Sequence, residues 1–120
     1  MAKNWLDMVT EFSAELKVLR AGAPDVMKEF SAMARVASGP EALDAKTKEL
    51  IALAISVAVQ CDPCIAFHAQ AAVKQGASRE EVLEAMGMAI YMGAGPSVMY
   101  ASKAVEAYDQ FKTQGAAISP

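Results

Sequence analysis

Apolar positions recur along this chain at helical spacing, punctuated by Gly, Pro and capping residues, and no run alternates long enough to propose a strand. Trp5, Met8, Val9, Phe12, Leu16 and Leu19 form one stripe, with Asn4 placed to cap its start and Gly22 to end it. Pro24 suits the first turn of a second helix, which carries Val26, Met27, Phe30 and Met33 and stops at Ser38 to Pro40. The two helices are expected to form a packing layer. Asp44 is a good cap for a third helix, apolar on every face from Leu50 to Val59 except at Ser56, a pattern that predicts cover all round. Gly76 marks the end of a fourth helix, and Ser78 to Glu81 ("SREE") matches a capping box opening a fifth with Val82, Leu83, Met86, Ala89 and Ile90. A sixth starts at Pro96 and runs to about Thr113. Residues 114–120 lack periodicity and are expected to fray. The prediction is an all-α fold of about six helices.

At 120 residues the chain has the size of one domain, 1–120. A domain this small buries only roughly 60–70% of its unfolded surface, which leaves little interior to surround the third helix. Its surplus apolar face predicts a homo-oligomer. A net charge of −3 with scattered basic residues gives no footprint for nucleic acid. The start, "MAKNWLDMVTEF", lacks the basic stub and apolar run of a secretory signal, so the chain is expected to be cytoplasmic. The 18 uncharged residues between Glu84 and Lys103 are broken in their middle by Gly93, Gly95 and Pro96, which argues against a membrane span.

The chemistry is concentrated in "VQCDPCIAFHAQ", Val59 to Gln70, which holds both cysteines and the single histidine. Asp62 then Pro63 reads as a helix cap followed by the first helical residue, putting Cys64 in the first turn, where free N–H groups and the helix dipole favour a thiolate. His68, four residues on, shares its face as a base beside a nucleophile. Cys61 and Cys64 have Cys-x-x-Cys spacing, short enough for a disulfide across the helix start. Two other readings compete. Zinc could take Cys61, Cys64 and His68, but no second cysteine pair or histidine exists to close a structural site. Alternatively, both cysteines are buried and inert.

From Leu43 to Val98 the chain resembles the carboxymuconolactone decarboxylase family, in its alkylhydroperoxidase D-like branch, whose signature is Glu…Cys-x-x-Cys-x-x-x-His. Glu49, twelve residues before Cys61, takes the glutamate position, and Cys61, Cys64 and His68 take the others. The resemblance implies an all-helical domain assembling into trimers or hexamers. It also implies a peroxidase with no cofactor or metal, acting on a peroxide and recycled by an external thiol reductant such as a lipoyl-bearing protein or thioredoxin. Well-studied members carry a histidine where this chain has Pro63, so any role of that histidine is absent. In the expected mechanism Cys64 attacks, His68 takes its proton, Cys61 resolves and Glu49 orients His68. A lactone decarboxylase of the same fold is a rival, although the decarboxylases generally lack the cysteine pair. A non-catalytic redox-sensing oligomer is another. Along a straight third helix Glu49 would lie about 18 Å from Cys61. Either the fourth helix folds back to bring His68 to Glu49, or a neighbouring subunit supplies one partner.

Overall fold

A computed structural model describes the backbone of residues 4–118 and the side chains of residues 4–114. The described residues form helices only: α1 (Trp5–Gly22), α2 (Pro24–Ser38), α3 (Ala45–Ala58), α4 (Asp62–Lys74) and α5 (Arg79–Ile118). Local chemistry sets most boundaries. The Asn4 side chain accepts from the Asp7 N–H at 3.1 Å, Pro24 opens α2, and Asp44 accepts from the Thr47 N–H at 2.8 Å. The box at Ser78 closes both ways: its hydroxyl accepts from the Glu81 N–H at 3.1 Å, and the Glu81 carboxylate accepts from the Ser78 N–H at 2.9 Å.

α5 consists of two helices joined at a sharp kink. Ala94 breaks it with φ 55° and ψ −140°, and Pro96 follows. The Arg79 guanidinium meets the Asp109 carboxylate at 3.0 Å across 30 residues. A straight helix would hold them about 45 Å apart, so residues 95–118 must fold back along 79–93. These halves correspond to the fifth and sixth helices predicted from sequence. A Cβ on Gly93 would overlap the Ser97 hydroxyl, so a side chain there would require Ser97 to turn away. The second half continues past Thr113 to Ile118; residues 119 and 120 of the expected frayed tail lie outside the described residues.

The core lies between α3, α4 and the two halves of α5, which make the most extensive contacts. Leu53 and Val57 of α3 meet Ile65, Ala66, Ala69 and Ala72 of α4, and Val82, Met86, Ala104 and Phe111 of α5. Alanine at so many buried positions lets the backbones approach closely. Trp5 of α1 is fully buried, with its indole N–H on the Glu106 carboxylate at 2.7 Å. The expected packing layer is only half realised. α1 buries Trp5 against this core, but α2 buries no residue and leaves Val26, Phe30, Met33 and Val36 exposed. Cover all round α3 is also not found within one chain, because Ile51, Ile55 and Val59 are exposed.

Candidate active site

The site is assembled where α3 hands over to α4. Two bonds of a Schellman turn end α3: the Gln60 N–H reaches the Val57 carbonyl and the Cys61 N–H the Ser56 carbonyl, each at 3.1 Å. Gln60 takes the left-handed position of that turn, φ 59°, usually given to glycine. The next residue, Cys61, is already the N-cap of α4, and its Sγ accepts from the Cys64 N–H at 3.3 Å. This corrects the expected cap. Asp62 is the first helical residue rather than the cap, and Pro63 the second, where a missing N–H costs nothing. Asp-Pro looks like cap and first residue in sequence because aspartate caps well. Here the tight turn has already placed Cys61 at the helix end.

The two sulfurs are bonded to each other, with their Cα atoms 5.2 Å apart. Both lie in the field of the α4 N-terminus, so that field does not favour Cys64 over Cys61 as the sequence suggests. What distinguishes Cys64 is His68, one turn further along α4. Helical side chains lean towards the N-terminus, so the imidazole is directed towards the cysteine end.

Reversal of the chain at Gln60 resolves the separation of Glu49 from the motif. α4 runs back beside α3, and the His68 Nδ1 meets the Glu49 Oε2 at 2.8 Å within one chain. The route through a neighbouring subunit is not needed for this contact. A carboxylate on Nδ1 fixes that nitrogen as the protonated one in the neutral ring, leaving the Nε2 lone pair to accept a proton. The Glu49 side chain is 16% exposed and that of His68 38%, so the carboxyl group is sheltered while the imidazole remains reachable.

Two residues that the sequence reading passed over complete the surroundings. Lys103 of α5 binds the Asp62 carboxylate at 3.1 and 3.3 Å, and its ammonium lies 4.4 Å from the centre of the Tyr100 ring. The available signal was faint: Lys103 is the first charge after the uncharged stretch, three residues after a tyrosine. Among the described residues, no group of three or more His, Cys, Asp or Glu side chains is placed to hold a metal ion. No helix among the described residues is long and apolar enough to cross a membrane. Among the described residues, one open surface depression lies between Asn4, the cap of α1, and Gln110 of α5, and another beside Leu50 and Met88. Neither is lined by a cysteine, Glu49 or His68.

Comparison with known proteins places this geometry. The profile of the carboxymuconolactone decarboxylase family matches residues 24–107. A carboxymuconolactone decarboxylase family protein from Legionella pneumophila, solved in its apo form, is 48% identical, with a TM-score of 0.88 over 90% of this chain and 96% of that one. One from Thermotoga maritima, for which involvement in an antioxidative response has been suggested, is 29% identical, with a TM-score of 0.82 over 91% and 93%. An uncharacterized protein from Cupriavidus necator is 38% identical over 84% of this chain and 89% of its own.

Proposed function

Because this chain belongs to the carboxymuconolactone decarboxylase family, we propose that it works as that family's alkylhydroperoxidase D-like members do, as a thiol-dependent peroxide reductase. One observation carries this reading: a disulfide between Cys61 and Cys64 at a helix start, one turn from a histidine whose far nitrogen is held by Glu49. A base oriented by a third group beside a nucleophile is the arrangement that activates a thiol. The suggested antioxidative role of the Thermotoga maritima protein points the same way.

In the reduced protein the Cys64 thiol gives its proton to His68, and the thiolate attacks a peroxide oxygen. The O–O bond breaks, Cys64 becomes a sulfenic acid, and water or an alcohol leaves with the proton. The Cys61 thiol then displaces the sulfenic oxygen as water, forming the disulfide. An external dithiol, lipoyl-bearing or thioredoxin-like, reopens it through a mixed disulfide and is itself oxidised. Glu49 holds the His68 ring by its Nδ1, so that Nε2 is the nitrogen left to take the proton.

The working unit is an oligomer of this chain. Val26, Phe30, Met33 and Val36 on α2, and Ile51 and Ile55 on α3 with Val59 at its cap, expose two apolar stripes that a second copy could cover. Light scattering is expected to show no stable monomer at micromolar concentration. The activity itself is tested by peroxide consumption with dihydrolipoamide or thioredoxin as donor. Catalytic turnover with either supports the reading, whereas reversible disulfide formation without turnover leaves a redox-sensing module in its place.

A further inference from the structure

The only charged side chain between the two cysteines is Asp62, and a carboxylate there opposes the charge that the site must develop. A thiolate at Cys61 or Cys64 would form within one or two residues of it. Lys103 answers that charge from a different element: its ammonium binds both Asp62 oxygens, at 3.1 and 3.3 Å. The position of Lys103 is set from a second side, since Tyr100, one turn earlier on α5, presents its ring to the ammonium at 4.4 Å. The side chains are 35% and 22% exposed, so the pair is sheltered in part from solvent screening. His68 of α4 is bound to Glu49 of α3, Glu106 of α5 is bound to the Trp5 indole, and Asp7 and Glu11 of α1 are exposed to solvent.

We propose that Lys103 is a positioning residue for the redox pair: by binding Asp62 it steadies the peptide between the cysteines and cancels the negative charge beside the reduced sulfurs. The inference rests on the redox-pair reading of Cys61 and Cys64. It has a directional consequence, because a thiolate belongs to the dithiol state alone. Lys103 therefore favours the dithiol and makes the disulfide a stronger oxidant, and loss of its charge would do the reverse.

The test is the equilibrium of the full-length protein with glutathione, in which one protein disulfide and two glutathione thiols exchange to two protein thiols and one glutathione disulfide. Lys103→Met should shift this equilibrium towards the protein disulfide by roughly fivefold, the size of one close charge contact in a well-solvated setting. Asp62→Asn should shift it towards the dithiol, and the double variant should return close to wild type. The opposite signs of the single variants separate charge from simple loosening of the helix start, which would move both the same way. Should Lys103→Met fail to fold, Asp62→Asn alone still carries a signed expectation. Single variants within about twofold of wild type, or a double variant no closer to wild type than Lys103→Met, would overturn the role of Lys103. A wild-type pair that does not equilibrate with glutathione at all would overturn the redox-pair reading beneath it.

Discussion

The two ends of α4 are built on nearly the same backbone turn and put to different uses. The chain leaves α3 through a Schellman turn at Gln60 and leaves α4 through another at Gly76, where the Gly76 N–H reaches Val73 and the Ala77 N–H reaches Ala72, each at 3.0 Å. The second turn follows the residue preferences of its geometry. Glycine takes the left-handed position at φ 81°, and a buried Tyr108 hydroxyl donates to the Ala77 carbonyl at 2.7 Å to lock the turn. The first turn departs from them. Glutamine occupies the left-handed position, and a cysteine, outside the favoured capping set, accepts the N–H that Ser or Asp would ordinarily take. At the first end local preference is given up where the two bonded sulfurs sit; at the second it is followed.

Substitutions of the sulfurs and their neighbours should therefore change chemistry, and those at the two left-handed turn positions stability. The largest effect is expected from the sulfurs. Cys64→Ser should abolish peroxide turnover, whereas Cys61→Ser should still consume one equivalent of peroxide and stall as a sulfenic acid or mixed disulfide, as mass spectrometry would register. Next comes His68→Ala, with a loss of about a hundredfold in turnover at an unchanged melting temperature. Glu49→Gln should lose less, because it leaves the imidazole in place.

At the second turn, Gly76→Ala should destabilise the fold by about 1 kcal/mol without touching activity. A Cβ there meets nothing within 4 Å, so the cost is conformational. Gln60→Gly should stabilise by a similar ~1 kcal/mol in urea unfolding, since it removes the left-handed penalty that the first turn carries. A stability loss on Gln60→Gly would mean that the glutamine side chain, not the turn, is what this position needs.

The smallest effect concerns a cap of the ordinary kind. Hydrogen bonding from Thr47 holds the Asp44 carboxyl below its usual 3.8. A carboxyl with a lowered folded-state pKa stabilises fully above its unfolded value and loses that contribution as pH falls through the folded one. Asp44→Asn should therefore flatten the acid limb of the stability curve below about pH 4 and leave the neutral region nearly unchanged.

Features that depend on neighbours along the chain were legible in the sequence. Asn4, Pro24, Asp44 and the Ser78–Glu81 box each act within one helical turn, and all sit where periodicity puts them. Features that depend on the third dimension were not. The meeting of Glu49 with His68 requires α4 to reverse beside α3, and the reversal hinges on a glutamine in a glycine's conformation, which no residue type announces. Lys103 reaches Asp62 across 41 residues and a fold-back at Ala94, another non-glycine residue at positive φ. The displaced cap of α4 failed for the opposite reason: Asp-Pro carries so strong a local signal that it hid the sulfur one residue earlier.

The central claim is that Cys61 and Cys64 form a pair in which Cys64, served by His68, meets the peroxide first. Rapid alkylation of the two single-cysteine variants across pH measures this most directly. The account expects the thiol that remains in Cys61→Ser to react as a thiolate at lower pH than the one that remains in Cys64→Ser, and expects His68→Ala to abolish that advantage. A lower pKa for Cys61 than for Cys64, unchanged by His68→Ala, would contradict it and give the attacking role to the sulfur that caps the helix.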